Sequence, residues 1–315
     1  MDIAELARIS HQIIEEMGQA IVGKSDVLRQ VLIGVLSDGH ILFEDYPGLA
    51  KTMIARMLAQ VAAINFRRIQ FTPDLLPSDI TGSFTYNQRE GEFEFKPGPI
   101  FTNLLLADEI NRTPPKTQAA LLEVMQEKQA TIEGVTYQME QPFITIATQN
   151  PIEYEGTYPL PEAQLDRFIM KLSVGYLKPE EELEMLFRRQ HRKSDTIQLS
   201  KVIDGKTLVE MQKSVEQVYV SEEIERYIVD IVAETRRDSR VQVGASPRGT
   251  LALFKLSRSC AAIQGRDFVT PDDVKAMAIV GLSHRLILMP ELWVSRINER
   301  EIIREILNKV PTPKA

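Results

Sequence analysis

The chain is short of the residues that would suggest several common chemistries. Its 315 residues hold one cysteine, Cys260, so no internal disulfide is available. The four histidines, His11, His40, His191 and His284, are scattered without metal-ligand spacing, and each reads as a surface or core residue. No apolar run approaches the roughly 18 residues that a membrane-spanning helix needs. The opening Met1-Asp2-Ile3-Ala4-Glu5 is acidic and lacks the basic region of a signal peptide, which makes a cytoplasmic location the expectation. Basic residues are not in excess: 37 lysines and arginines against 44 acids leave a net charge of −7, which argues against nucleic acid as the main partner.

Apolar material is sufficient. A hydrophobic fraction of 43% and a charged fraction of 26% describe a soluble globular chain, long enough for one large or two ordinary domains. The organising stretch is Glu44-Asp45-Tyr46-Pro47-Gly48-Leu49-Ala50-Lys51-Thr52. It follows the apolar run Ile41-Leu42-Phe43 and precedes Met53, Ile54, Met57, Leu58 and Val61 at helical spacing, a strand–loop–helix pattern. The free N–H groups and positive dipole end of such a helix suit a phosphate. Lys51 can reach outer phosphates, and the Thr52 hydroxyl can bind Mg²⁺. The usual phosphate loop carries glycine where this chain has Asp45 and Ala50. An acid repels phosphates, so Asp45 is expected to point away from them.

Ahead of this loop, residues 3–20 and 25–36 read as helices, separated by Ile21-Val22-Gly23-Lys24. Val22 and Gly23 either join two packing helices or line an adenine pocket. Downstream, 65–71 reads as a strand and 72–79 as a loop. Phe84, Tyr86, Phe93 and Phe95 alternate around a Gly-containing loop and predict a β-hairpin, with a second around Glu133-Gly134. Such hairpins serve cross-strand packing or project toward a partner.

Leu104-Leu105-Leu106-Ala107-Asp108-Glu109 reads as a buried parallel strand with two acids at its C-terminal end, where open α/β sheets place ligands. Asp108 is the candidate Mg²⁺ holder and Glu109 the candidate general base. Strand 143–148 ends in Gln149-Asn150-Pro151, where Asn150 either starts a turn or positions a water or a γ-phosphate. Residues 169–172 read as the last core strand. Beyond a boundary at Gly175–Pro179 the β pattern stops, and helices are expected over about 180–192, 206–217, 221–237, 246–264, 271–286 and 298–309. Two helix starts differ instructively. Thr270-Pro271-Asp272-Asp273 carries acids in the first turn, whereas Ser246-Pro247-Arg248 carries a cation, which costs about 0.3–1 kcal/mol at the positive dipole end unless an anion binds there. Arg248 is therefore a candidate phosphate sensor, against the plainer reading of an arginine turned to solvent.

These residues resemble one family, the MoxR branch of the AAA+ ATPases. The resemblance rests on Pro47-Gly48-Leu49-Ala50-Lys51-Thr52, on the string from Asp108 to Glu127, on Ala147 to Pro151, on Leu160 to Phe168 and on Ser246-Pro247-Arg248. It implies an α/β AAA+ P-loop core over residues 1–178, with a parallel sheet flanked by helices and β-hairpin insertions, then an all-α lid over 179–315. ATP would be held by Val22, Gly23 and the stretch Pro47, Gly48, Leu49, Ala50, Lys51, Thr52 and Met53, with Mg²⁺ on Thr52 and Asp108. Glu109 would activate water, Asn150 would be sensor 1 and Arg248 sensor 2. Arg167 would reach a neighbouring subunit's nucleotide as an arginine finger, with Arg112 as the alternative. The resemblance further implies a homo-oligomeric ring, a hexamer, acting as a chaperone-like remodeller of protein clients, with von Willebrand factor A domain proteins as partners on separate chains. Two other readings compete: a nucleic-acid motor, opposed by the acidic hairpin residues Glu90, Glu133 and Glu140, and a low-turnover nucleotide-dependent scaffold, suggested by Asp45. A small-molecule kinase fits poorly with an all-helical second domain carrying Arg248.

Overall fold

The computed structural model describes residues 1–151, 157–294 and 297–313. Two helices lead the chain, α1 (Ile3–Ala20), capped by the Asp2 side chain on the Glu5 amide, and α2 (Ser25–Leu36). Strand β1 (Ile41–Glu44) runs into the glycine loop and α3 (Lys51–Val61). Next come β2 (Phe66–Gln70), the short α4 (Pro77–Thr81), the hairpin β3 (Gly82–Asn87) and β4 (Glu92–Pro97), and β5 (Leu104–Asp108). A 3₁₀ turn over Ile110–Arg112 leads to α5 (Pro115–Glu127) and a second hairpin, β6 (Gln129–Ile132) and β7 (Val135–Gln138). The core closes with β8 (Ile144–Gln149), α6 (Glu162–Leu165) and β9 (Met170–Leu172).

The central sheet is parallel in the order β2-β5-β8-β1-β9. Its inner strands β5, β8 and β1 are buried along nearly their whole length because both faces are covered. Successive side chains alternate between two cores. Ile41, Phe43, Leu104 and Leu106 face α1, α2 and α3, whereas Leu42, Leu105 and Ala107 face α5 and the hairpins. The parallel pairing brings the C-terminal ends of β1, β5 and β8 to one edge, where the glycine loop, the two acids and Asn150 emerge.

The packing role considered for the first hairpin is filled at its base. Phe84 pairs with Phe95 across the strands, and Phe95 stacks on Tyr137 of the second hairpin at 4.5 Å. Nearer the tip, Tyr86 and Phe93 pair at 5.4 Å yet remain 56% and 70% exposed.

After β9 come α7 (Pro179–Arg192), α8 (Gly205–Val215), α9 (Glu222–Thr235), α10 (Pro247–Ile263), α11 (Pro271–Leu282) and α12 (Glu299–Lys309). Helix α10 packs on α1, α2 and α11, and their apolar side chains join one continuous core. The expectation that β structure stops after the last core strand is corrected. Strands β10 (Val241–Val243) and β11 (Ile287–Leu288) pair antiparallel, and at three and two residues they are too short for period two to register. The helix expected over 271–286 ends at Leu282, because the buried Ser283, His284 and Arg285 turn as a 3₁₀ segment toward the core domain. Within the loop expected at 72–79, α4 starts on Pro77 and is closed by Asp79, whose carboxylate accepts from the Leu76 amide at 2.8 Å.

Candidate active site

A cavity of about 410 Å³ opens at the C-terminal edge of the sheet. Pro47, Gly48, Leu49, Ala50, Lys51, Thr52 and Met53 form one wall, and Arg68, Asp108, Glu109, Thr148, Gln149 and Asn150 the other. Gly48 and Ala50 both take left-handed backbone, at φ +82° and +58°. Glycine does so freely, whereas an L residue pays about 1–2 kcal/mol. Ala50 thus adopts the conformation that usually calls for glycine, directly before the first turn of α3. Asp45 turns away from the cavity. Its carboxylate accepts from the Val174 amide at 2.6 Å, the Gly175 amide at 2.8 Å and the Ser173 hydroxyl at 3.0 Å, tying the start of the loop to the end of the last core strand. Lys51 Nζ donates to the carbonyls of Asp45 and Tyr46 at 2.7 and 2.6 Å. Burial draws its pKa down, opposed by the nearby carboxylates of Asp45, Asp108 and Glu109.

The two acids have different surroundings. Asp108 is buried and accepts from the Thr148 hydroxyl at 2.6 Å and from the Arg68 guanidinium at 2.7 Å. Glu109 is lodged in left-handed backbone, φ +58°, anchored by its own amide donating to Thr148 Oγ1 at 2.9 Å. Its carboxylate accepts from Gln70 Nε2 at 2.6 Å and pairs with Arg112 at 3.0 Å. Arg68, Gln70 and Thr148 are site residues that motif reading missed. The signal was there in Phe66-Arg67-Arg68-Ile69-Gln70, a core strand that carries two arginines and a glutamine.

A second, apolar cavity of about 330 Å³ shares Pro47 to Ala50 and Met53 with the first and continues over Val22, Val174, Tyr176 and Leu177. Its largely apolar lining suits a heterocycle. Val22 is on its wall, whereas Gly23 lies against the Glu181 side chain of α7.

Arg167 and Arg248 are elsewhere. They share a third cavity, of about 360 Å³, with Lys128, Lys255, Asp38 and Asp166, and neither lines the phosphate-loop cavity of its own chain. The Ser246 hydroxyl accepts from the Arg248 amide at 3.1 Å, so the helix start forms as expected, and the guanidinium reaches Gln126 at 3.3 Å. Arg167 Nε is buried with no hydrogen-bond partner among the described residues. The backbone on either side of Arg167 is held from α10 and the 3₁₀ turn after α11. Arg285 donates to the Asp166 carboxylate, to the Asp166 carbonyl at 2.8 Å and to the Phe168 carbonyl at 2.7 Å. Ser246 donates to Asp166 Oδ2 at 2.9 Å, and His284 Nε2 meets the Phe168 carbonyl at 3.0 Å.

A glycine loop on a helix N-terminus, a lysine, a hydroxyl and two strand-end acids around one cavity can hold a nucleoside triphosphate and activate water beside it. Comparison with known proteins agrees. Residues 40–170 match the model of the ATPase family associated with various cellular activities (AAA), and residues 233–306 match the AAA lid domain. The uncharacterized protein YeaC of Bacillus subtilis is 48% identical over 95% of this chain and 93% of its own. Chaperone MoxR1 of Mycobacterium tuberculosis is 42% identical over 96% of this chain and 81% of its own. Protein MoxR of Methylorubrum extorquens is 28% identical over 95% and 93%. The crystal structure of a candidate ATPase from Cytophaga hutchinsonii superposes with a TM-score of 0.92 at 44% identity, covering 99% of this chain and 97% of that one. The parallel sheet, the lid, the strand-end acids and these relatives agree on one assignment: the chain belongs to the MoxR family of AAA+ ATPases.

Proposed function

We propose that this ATPase works as a homo-oligomeric ring, a hexamer, in which each nucleotide is held by one subunit and its hydrolysis is completed by the next. The observation that carries this reading is the separation of the two cavities. Lys51, Thr52, Asp108, Glu109 and Asn150 line one, and Arg167 and Arg248 the other. Cations that serve phosphate chemistry from a different face of the molecule serve a neighbour's phosphates.

In this reading Lys51 and the loop amides bind the β- and γ-phosphates, and the apolar cavity over Val22 takes the adenine. Glu109 accepts a proton from the attacking water, and Asn150 orients that water or the γ-phosphate. Arg167 from the neighbour neutralises charge that develops in transfer, and Arg248 reports the nucleotide's state to the lid. Residues 1–178 act as the nucleotide-binding body and 179–315 as the lid. The donor set fits magnesium: the Thr52 hydroxyl and Asp108 carboxylate are hard oxygens on the two walls of one cavity. Among the described residues no group of three or more His, Cys, Asp or Glu could hold a metal alone, so phosphate oxygens and water would complete the shell. Magnesium, when bound, neutralises phosphate charge.

The work done with ATP is proposed to be remodelling of protein clients in the cytoplasm, with von Willebrand factor A domain proteins as partners. Two features support it: the chaperone-named relative and the exposed Tyr86–Phe93 pair at the tip of the first hairpin. The test is complementation. Lys51→Ala and Arg167→Ala each hydrolyse no ATP alone. A mixture of the two regains activity if the finger acts between subunits, because some interfaces then join an intact loop to an intact arginine. A mixture that stays inactive while forming mixed rings refutes the reading.

A further inference from the structure

We infer that Arg68 is a positioning residue that holds Asp108 until a divalent cation takes its place, and that its release passes through Gln70 to Glu109. The inference rests on the reading of Asp108 as the metal-holding carboxylate and Glu109 as the water-activating one.

Residues 68 and 70 lie two apart on β2 and so share a face of the strand. Parallel pairing with β5 sets Gln70 opposite Asp108, and both side chains reach the edge where the acids emerge. Arg68 Nε and Nη2 both donate to Asp108 Oδ2, at 3.0 and 2.7 Å. Nη2 also donates to Gln70 Oε1 at 2.8 Å. The amide is thereby oriented so that its Nε2 donates to Glu109 Oε2 at 2.6 Å. The other carboxylate oxygen of Asp108 is held by Thr148. One chain of contacts therefore runs from Asp108 through Arg68 and Gln70 to Glu109.

A guanidinium and a metal ion cannot share Oδ2 without placing like charges side by side. The Asp108 side chain is only 12% exposed and fixed by Thr148, whereas that of Arg68 is 49% exposed and lines the cavity, so Arg68 is the partner that leaves. Once it does, Gln70 loses the contact that orients its amide, and one of the two described restraints on the Glu109 carboxylate is loosened. Metal arrival at one acid is thus reported to the other through the neighbouring strand.

The test is binding of a fluorescent, non-hydrolysable ATP analogue to the full chain, with magnesium or with EDTA. The ratio of the two affinities gives the gain due to metal. Arg68→Met raises that gain about fivefold, the size expected for a half-exposed ion pair. Arg68→Lys, which keeps the charge, returns the gain toward wild type. Gln70→Ala, which spares the ion pair, keeps the wild-type gain. In wild type, amide exchange over 109–112 rises when magnesium joins the analogue, and in Gln70→Ala it is already raised without metal. An unmoved gain in Arg68→Met overturns the competition, as does an analogue affinity in EDTA that falls tenfold, which would make Arg68 a direct phosphate ligand. Unchanged amide exchange overturns the relay. If wild type binds no analogue, or Lys51→Ala binds it equally, the nucleotide-site reading itself fails, separately from Arg68.

Discussion

The pair Asp166–Arg285 offers a test in which stability and turnover are expected to part company. Arg285 reaches from the 3₁₀ turn after α11 into the core domain, with its side chain 2% exposed against 17% for Asp166. Besides Asp166 it satisfies the carbonyls of Gly281 and Phe168 at 2.8 and 2.7 Å. Removing the carboxylate by Asp166→Ala strands a buried guanidinium, which costs about 3–5 kcal/mol. At roughly 2 °C per kcal/mol for a chain of this size, the melting temperature falls by roughly 6–10 °C. Arg285→Met removes the buried charge instead. It leaves Asp166 its bond from Ser246 and the Phe168 carbonyl its contact with His284. The cost is then about 1–3 kcal/mol, that of lost hydrogen bonds at buried acceptors. The double variant should be more stable than Asp166→Ala alone, because no unpaired buried cation remains.

Turnover should behave differently. Arg285→Met and the double variant remove the guanidinium from the carbonyls on either side of Arg167, so both lose ATPase activity by at least about tenfold, with nucleotide affinity little changed, whereas Asp166→Ala keeps those two bonds and loses less. Thermal unfolding followed by circular dichroism gives the first quantity, and steady-state phosphate release with analogue binding gives the second. A double variant less stable than Asp166→Ala would refute the penalty for a stranded charge. Normal turnover in Arg285→Met would refute the claim that Arg167 is held through Arg285.

Lys51→Ala should abolish nucleotide binding, whereas Glu109→Gln should bind the nucleotide and lose about 10²–10⁴-fold in turnover; calorimetry beside a phosphate-release assay separates them. His40 is buried and uses both ring nitrogens as a neutral ring, with Nδ1 accepting from the Thr145 amide and Nε2 donating to the Met125 carbonyl. Burial lowers its pKa from 6.5 to about 4, so its contribution is present above pH 6.5 and lost as the pH falls toward about 4, roughly 3 kcal/mol in all. Urea unfolding across that range should show the loss, and a His40→Gln variant should flatten it. Gly98→Ala would set a Cβ 2.2 Å from the Ile80 carbonyl oxygen, a backbone atom that cannot step aside. It should lower the unfolding free energy read from urea titration by about 1–3 kcal/mol and alter the first hairpin's base while leaving analogue affinity intact.

What the sequence made legible was local. The core strands announced themselves as apolar runs, the glycine loop as strand–turn–helix, and the acids as polar residues ending an apolar strand; each of these is decided by a handful of consecutive residues. The missing pieces depend on which strands become neighbours. Arg68 and Gln70 matter because β2 pairs with β5, and Thr148 because β8 does. Arg285 and Asp166 are 119 residues apart in sequence, and their contact ended a helix whose apolar spacing ran on to residue 286. Arg248 is the most instructive case. A cation in the first turn of a helix marked Arg248 for attention, and that much is local chemistry. Which cavity it serves follows instead from the packing of α10 against α1 and α2, which carries the start of α10 to the face that holds Arg167 and away from Lys51. The same packing that buries the lid's apolar side chains against the first two helices thus sets its arginine beyond reach of its own phosphate loop. In the proposed ring, the neighbouring subunit would bring that face to the phosphate loop.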